Sequence, residues 1–282
     1  MPNSTLYTVD YTDSDATRII RVAGPQDGAA VADQLERFGF AVMEPTELTP
    51  STQALETLAD WLDLGEPYIP LMYRRRADSK PYVYADIVPR ADSNHPGFGS
   101  DQAQPFHVDG LFDPVGAIRS SMLYCVRPAV EGGRTIVFNA SAVFMALREQ
   151  DPAAAKVLLG EGVLERLATI PDVRGSVHAA AFAYDDSGLL MTRYSDGRTE
   201  RWHAPVGEEA ELDRALSYFR AAVKEPRYCA PIRLGAGQCL IIRNDRLSHA
   251  REDFVSDPEQ PRHLVRGLYR RAPGGVPAVS GV

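Results

Sequence analysis

The stretch "QPFHVDGLF", residues 104–112, places a histidine and an aspartate two positions apart. Only Val108 separates His107 from Asp109, and aromatic or apolar residues flank the pair on both sides. In an extended chain, the side chains at positions i and i+2 leave the same face. The imidazole and the carboxylate are therefore expected to point into one space, as two candidate ligands of one metal ion.

The composition is that of an ordinary globular protein and argues against several other classes. The 282 residues are 44% hydrophobic and 24% charged, which is enough for a proper core. The formal net charge of −8 disfavours a nucleic-acid partner. No apolar run approaches a membrane span, and the first residues lack the pattern of a signal peptide. We expect a cytoplasmic protein with a small-molecule partner and no membrane partner, and a homo-oligomer is possible.

Three cysteines, in an odd number and without CxxC spacing, argue against a disulfide framework or a structural zinc site; they are Cys125, Cys229 and Cys239.

Apolar periodicity predicts two helices near the start of the chain. "GAAVADQLERFGFAVMEP" indicates a helix followed by a short strand at 40–43. "TPSTQALETLADWLDLG" indicates a second helix, with Thr49 as its cap and Pro50 at its first position. Between residues 67 and 106 no helical period is present, which predicts long loops.

The rest of the chain is dominated by strand patterns separated by turns. "IRSSMLYCVRP", "RTIVFNA", "CAPIRLGAGQCLIIRN" and "RHLVRGLYRR" all read as strands or strand pairs. This pattern predicts a mainly β protein with flanking helices and a jelly-roll (double-stranded β-helix) core. We expect one domain over residues 1–282, with a helical and loop insert at about 140–225. A parallel α/β fold fits less well, because strands and helices do not alternate regularly.

A third candidate ligand, His249, lies in "RNDRLSHARED", just after the apolar strand "CLII". Two histidines and one carboxylate form the facial triad that binds non-haem Fe(II) and leaves coordination positions open. The other histidines lack partners at ligand spacing and are expected to be ordinary; they are His95, His178, His203 and His263.

Four segments in one order, "PFHVDG", "EGGRTIVFNA", "GAGQCLIIRNDRLSHARE" and "PRHLVRGLYRR", resemble the Fe(II) and 2-oxoglutarate dependent dioxygenases of the taurine dioxygenase (TauD/TfdA) family. Within that family they look most like carbapenem synthase and clavaminate synthase. The resemblance covers about residues 30–272. It implies Fe(II) as cofactor, 2-oxoglutarate and O2 as co-substrates, and oxidation of an unactivated C–H bond in antibiotic biosynthesis. Hydroxylation, desaturation, cyclisation and epimerisation all stay open.

The resemblance also implies roles for individual residues. The iron ligands and catalytic centre would be His107, Asp109 and His249. Because similar halogenases replace the carboxylate with a small residue, Asp109 argues against halogenation. Thr135, shortly after a Gly-Gly turn, would donate to the distal carboxylate of 2-oxoglutarate. Arg251 would lie near the same carboxylate, or would be an exposed loop charge.

The arginine that holds 2-oxoglutarate is ambiguous, because the R-x-L-x-R pattern of the family fits twice, as "RHLVR" and as "RGLYR". Arg262 lies 13 residues after His249 and fits best. Arg266 is then assigned to the substrate or to secondary support, and the alternative assigns the two roles to Arg266 and Arg270. Asn244 is expected to have a structural role.

The substrate pocket is expected between the loops at 67–104 and the insert around 160–205. Four tyrosines could line it or could serve in packing: Tyr68, Tyr73, Tyr82 and Tyr84. A spare arginine near the iron suggests a small carboxylate-bearing substrate, derived from an amino acid. Two alternatives are a zinc-dependent hydrolase that uses the same histidines and aspartate, and a non-enzymatic jelly-roll binding protein.

Overall fold

The computed structural model describes residues 4–74, 83–89, 99–168 and 173–274, so that Tyr82 and His95 lie outside the described residues. The helices are α1 (Gly28–Phe38), α2 (Thr52–Trp61), α3 (Leu71–Arg74), α4 (Ala140–Gln150), α5 (Pro152–Val157) and α6 (Glu209–Ala222). In the described part of the chain, no helix is both long enough and apolar enough to cross a bilayer.

Seventeen strands accompany these helices in the described residues. They are β1 (Ile19–Val22), β2 (Phe40–Pro45), β3 (Tyr84–Ile87), β4 (Gln104–His107), β5 (Ser120–Arg127), β6 (Glu131–Gly132), β7 (Thr135–Phe138), β8 (Leu164–Leu167), β9 (Ser176–Ala179), β10 (Phe182–Tyr184), β11 (Leu190–Thr192), β12 (Glu200–Trp202), β13 (Cys229–Ile232), β14 (Cys239–Arg243), β15 (Ser248–Arg251), β16 (Phe254–Val255) and β17 (His263–Tyr269).

Two sheets face each other and form the jelly-roll core. The major sheet has six strands in the order β1-β2-β14-β5-β17-β3, and the minor sheet has four in the order β13-β7-β15-β4. Every neighbouring pair is antiparallel except β1 with β2. Consecutive residues of a strand point to opposite faces, so that β2 and β14 supply two separate apolar layers.

The first layer lies between the two sheets and is built from both, including Phe40, Val42, Leu123, Val137, Leu240 and Ile242. The second lies on the outer face of the major sheet, where α1 and α2 cover it with Val31, Leu35, Leu55 and Leu58. A third apolar cluster, formed with α4, α5 and α6, includes Phe138, Phe144, Phe182, Tyr194 and Phe219. The helices therefore flank the sandwich on both sides, as the apolar patterns predict.

The first helix and its strand form as predicted, because Gly39 takes the left-handed conformation, with φ of 77°, that ends α1 and starts β2. The predicted start of the second helix is wrong by two residues. Ser51, in an extended conformation, caps α2 by accepting a hydrogen bond from the Ala54 N–H at 3.3 Å, so Thr49 and Pro50 precede the helix.

The segments at 67–106 and 140–225 contain more regular structure than predicted. The first is not only loop, since it includes α3 and β3, and β3 pairs with the edge of the major sheet at β17. The second contains the predicted helices and also five short strands, β8 to β12. Three of these form a small sheet in the order β12-β8-β9, which we call the insert sheet.

The packing of α6 yields a stability prediction. The Phe219 ring is fully buried and lies 4.6 Å from Tyr194, 5.5 Å from Phe182 and 6.3 Å from Phe138, measured between ring centroids. Phe219→Ala should therefore lower the free energy of unfolding in denaturant titration by about 3–5 kcal/mol. Ser217→Ala, at an exposed position of the same helix, should change it by less than about 0.5 kcal/mol. Equal effects of the two substitutions would contradict this account of the packing.

Candidate metal centre

The two histidines are brought together by the register of the minor sheet. Strand β15 pairs with β4 so that His249 lies directly opposite His107, and their ring centroids are 4.4 Å apart. The partner of His249 on the other side of β15 is Val137 of β7. Because β15 is hydrogen-bonded on both edges, the position of His249 is set by the backbone of three strands.

Asp109 completes the cluster two residues after the end of β4, and its backbone is fixed by Asn244. The Asn244 side-chain oxygen accepts from the Asp109 N–H at 2.8 Å, and the amide nitrogen donates to the Asp109 carbonyl at 3.1 Å. The same nitrogen donates to the Ile118 carbonyl at 3.1 Å. The expected structural role of Asn244 is confirmed, since its amide closes the loop that presents the carboxylate.

Two neighbouring groups hold the carboxylate of Asp109. Its Oδ1 forms a buried ion pair with Arg266, and its Oδ2 accepts a hydrogen bond from the Ser121 hydroxyl at 2.8 Å. His249 Nε2 lies 3.9 Å from Oδ2, which is too long for a hydrogen bond. Sequence reasoning missed Ser121, because a serine within a buried strand carries no signal that its hydroxyl faces a carboxylate 12 residues earlier.

The electrostatics of the cluster favour the ligand-competent protonation states. Burial lowers the pKa of both imidazoles, that of His249 to about 3, where the charge of His107 adds to the effect. Burial alone would raise the pKa of Asp109, but the charge of Arg266, assisted by the histidines, outweighs it and holds the pKa at about 2. At neutral pH the site therefore presents two neutral imidazoles and one carboxylate.

The geometry of these donors fits a divalent metal. One ligand atom from each of His107, Asp109 and His249 can be chosen so that all lie within 4.8 Å of one another. The Nδ1 of His107 lies 2.9 Å from the Pro105 carbonyl, which fixes the proton there and leaves Nε2 as a lone pair for a metal. Two imidazoles and one carboxylate are the donor set of facial Fe(II) sites.

A polar pocket lies next to this cluster, on the paired strands β7 and β15. Thr135 lies opposite Arg251 in the β7–β15 register, and Thr135 lines a cavity together with Arg262. Both arginines and the threonine are buried. The structure thus brings together the residues predicted to hold 2-oxoglutarate, although Arg262 lies outside the strand, just before an irregularity at the start of β17.

Two buried positive charges lie close together in this pocket. Burial lowers the pKa of Arg262 and of Arg251 to about 10, and for Arg251 the charge of Arg262 adds to the effect. Both guanidinium carbons lie 4.9 Å from the centre of the Phe254 ring. The Nη1 of Arg262 is buried and has no hydrogen-bond partner among the described residues. Two close, buried cations favour an anion between them.

The remaining arginines of the R-x-L-x-R pattern differ in position. Arg266 is buried against Asp109 and interacts with the Tyr73 hydroxyl. Arg270 is exposed beyond the end of β17, with its guanidinium carbon 5.3 Å from the centre of the Tyr68 ring. Arg74 lies over the same ring at 4.5 Å. Of the three arginines, only Arg266 therefore lies within β17, because this strand begins at His263 and ends at Tyr269.

The structure also places Tyr84 and the described histidines that lie outside the metal centre. Tyr84 packs against the apolar layer between α2 and the major sheet, so the packing role applies to it rather than a pocket role. His178 and His203, which were expected to lack partners, instead meet at the carboxylate of Glu165 on the insert sheet. His263 Nε2 lies 2.7 Å from a carboxylate oxygen of Asp86.

Known proteins match this chain over most of its length. The model of the taurine catabolism dioxygenase TauD, TfdA family matches residues 15–268. A uridine-5'-phosphate dioxygenase of Amycolatopsis sp. is 41% identical over 94% of this chain and 93% of its own length. A second enzyme of that name, from Streptomyces sp., is 44% identical over 86% of this chain and 89% of its own length.

Solved structures confirm the predicted fold. An asparagine oxygenase, solved with Fe(II), 2S,3S-3-hydroxyasparagine and succinate, superimposes with a TM-score of 0.62. It is 16% identical, and the match covers 95% of this chain and 92% of that one. The prediction of an iron- and 2-oxoglutarate-dependent dioxygenase is confirmed, in preference to a zinc hydrolase or a binding protein. The chain belongs to the taurine catabolism dioxygenase TauD, TfdA family.

Proposed function

We propose that this enzyme oxidises a C–H bond of uridine-5'-phosphate. The observation that carries this proposal is the identity of 41% and 44%, over nearly the whole chain, to two uridine-5'-phosphate dioxygenases. A phosphate ester differs from the carboxylate-bearing, amino-acid-derived substrate expected from the sequence. Both are small anions that arginine binds well, so the arginine pattern alone does not separate them.

The proposed iron ligands are His107, Asp109 and His249. When bound there, iron would supply the oxidising chemistry, together with 2-oxoglutarate and O2. The chain contributes the geometry: the Pro105 carbonyl sets the tautomer of His107, and Ser121 orients the carboxylate of Asp109. These contacts prepare the donors before metal binds, so little rearrangement is needed.

We assign the distal carboxylate of 2-oxoglutarate to the pocket of Thr135 and Arg262. The Nη1 of Arg262, buried without a hydrogen-bond partner among the described residues, would gain one from that carboxylate. Arg251 adds a second positive charge, while its own guanidinium is held by the carbonyls of Ser100 and Gln102. A hydroxyl donor and two cations are suited to one carboxylate.

The substrate phosphate is assigned to the cations around Tyr68. Arg74 and Arg270 both lie over this ring and are exposed, so a dianion can reach them from solvent. The Tyr68 hydroxyl donates to Asp113 at 2.6 Å, which anchors the ring on the loop that follows Asp109. Arg266 would lie beside the substrate and support Asp109, which matches the secondary role considered for it.

The net charge of the protein supports a small substrate over a polymeric one. A net charge of −8 supports a mononucleotide substrate rather than a nucleic-acid polymer, because the phosphates of a long strand would meet an unfavourable field. Formation of a homo-oligomer and a cytoplasmic location stay predictions.

The substrate proposal is tested by substrate-dependent conversion of 2-oxoglutarate to succinate. Uridine-5'-phosphate should stimulate succinate formation well above the substrate-free rate, and the organic product should carry the oxidation. Uridine should give a kcat/KM lower by about 10–100-fold, because charge-assisted hydrogen bonds to phosphate contribute about 1.5–3 kcal/mol each. If L-asparagine or L-arginine matched uridine-5'-phosphate, the substrate would instead belong to the amino-acid class.

The metal assignment is tested anaerobically with Fe(II) and 2-oxoglutarate. The wild-type protein should develop the weak visible charge-transfer band that the family resemblance leads us to expect. His107→Ala should lose the band, because a ligand is missing. His263→Ala, at the histidine paired with Asp86, should retain it. A band of normal intensity in His107→Ala would refute the assigned ligands.

The roles of the arginines are separated by kinetics. Arg262→Ala should raise the KM for 2-oxoglutarate by about 10–100-fold through loss of a charge-assisted hydrogen bond. Arg270→Ala should raise the KM for uridine-5'-phosphate and leave that for 2-oxoglutarate within about twofold. If Arg270→Ala raised the KM for 2-oxoglutarate more than Arg262→Ala did, 2-oxoglutarate would be assigned to the later fit of the R-x-L-x-R pattern, which contains Arg266 and Arg270.

A further inference from the structure

A second cluster of metal-ligating side chains lies on the insert sheet, formed by Glu165, His178 and His203. Glu165 lies on the middle strand, β8, and His178 lies directly opposite it on β9. His203 follows β12 on the other side, where its backbone N–H donates to the Val163 carbonyl at 2.9 Å. Two strands and the residue that follows the third thus contribute one side chain each, and backbone hydrogen bonds fix their spacing.

The donor atoms are already close to the distances that a metal requires. His203 Nε2 lies 2.8 Å from one oxygen of Glu165, and His178 Nε2 lies 3.5 Å from the other. In a tetrahedral site with bonds of about 2.0–2.2 Å, ligand atoms are separated by about 3.3–3.5 Å. All the donor atoms lie within 4.8 Å of one another, so side-chain rotations suffice to enclose an ion.

The carboxylate is oriented while the imidazoles stay accessible. Glu165 is buried, and hydrogen bonds from Ser176 and His203 hold its pKa below the ordinary value. The side chains of His178 and His203 are 50% and 47% exposed. Arg201 also lies opposite Glu165 in the β12–β8 register, but it is exposed, and the two carboxylate oxygens face the imidazoles. An ion can therefore enter from solvent.

We propose that Glu165, His178 and His203 form a second metal site, which binds Zn²⁺. Two imidazole nitrogens and one carboxylate oxygen form a donor set that Zn²⁺ accepts, with water in the fourth position. Among first-row divalent ions that such a site binds, Zn²⁺ exceeds Fe²⁺ in affinity. The proposal does not depend on the substrate, because none of these residues belongs to the iron or 2-oxoglutarate sites.

The insert sheet separates this site from the metal centre of the dioxygenase. On its opposite face, Arg166 forms an ion pair with Glu200, and both charges act on His107. Neighbouring residues of a strand alternate between faces, so Glu165 points away from the face that carries Arg166. A bound Zn²⁺ would cross-link all three strands and stabilise the wall of the metal centre by mass action.

The first test counts bound Zn²⁺ by metal analysis after equilibrium dialysis of the metal-free protein. His178→Gln and His203→Gln should each bind one equivalent fewer than the wild type, because both remove a ligand from an exposed position. The matched control His263→Gln should bind as many equivalents as the wild type. His107→Ala should retain the equivalent that His203→Gln loses. If the His178 and His203 variants bind as much Zn²⁺ as the wild type, the proposal is overturned.

The second test locates the ion by hydrogen exchange of backbone amides. In His107→Ala, Zn²⁺ should slow exchange in the insert-sheet strands, at 164–167, 176–179 and 200–203. The same protection should be absent when His203→Gln is added. Protection confined to β4 and β15 would place Zn²⁺ at the dioxygenase centre and overturn the second site. Absence of the iron charge-transfer band in the wild-type protein, together with intact insert-sheet protection in His107→Ala, would instead count against the proposed function alone.

Discussion

The position of β15 between β4 and β7 is the constraint on which both halves of the active centre depend. One edge of this strand places His249 against His107, and the other places Arg251 against Thr135. A shift of one residue in register would turn every side chain of the strand to the opposite face. The same hydrogen bonds therefore position the proposed metal ligand His249 and a cation of the proposed co-substrate pocket, Arg251, two residues apart.

The centre contains one buried carboxylate, Asp109, and two buried arginines in the adjacent pocket, Arg251 and Arg262. Asp109 already has a counter-ion in Arg266, so it can stay ionised without metal. Arg251 and Arg262 lie near each other, and burial lowers the pKa of both. The structure thus stabilises an anionic metal ligand, while the adjacent cationic pocket gains most from a bound anion. Buried charge is costly unless it is paired, which makes an anionic co-substrate part of the completed site.

The sequence predicted the site residues that lie close together in the chain, and those whose spacing matches the pattern of the family. The His107 and Asp109 pair follows from two adjacent positions, and His249 from the segment around it. The positions of the arginines could not be resolved, because the irregularity before Leu264 and the end of β17 at Tyr269 depend on sheet pairing. Ser121 gave no signal, since its contact with the carboxylate arises only when β5 packs beside the loop.

The cluster of Glu165, His178 and His203 illustrates the same limit. The carboxylate lies 13 residues before one histidine and 38 before the other, and no motif links such distances. Only the order of the insert sheet brings them together. Likewise, the sequence offered Thr49 as a cap for α2, whereas in the structure Ser51 is extended and its side chain accepts the capping hydrogen bond from Ala54.

In the function proposed above, the oxidative chemistry and the choice of substrate are carried by different parts of this fold. The residues proposed to bind iron and 2-oxoglutarate lie on or next to the two facing sheets, and this fold is shared with an asparagine oxygenase at only 16% identity. The cations over Tyr68 come from α3 and from the chain beyond β17, outside those paired strands. Substitutions there leave the strand register intact, so the anion that is recognised can change while the metal ligands stay in place. The shared fold therefore does not indicate the substrate. Identity above 40% to uridine-5'-phosphate dioxygenases does support a particular substrate.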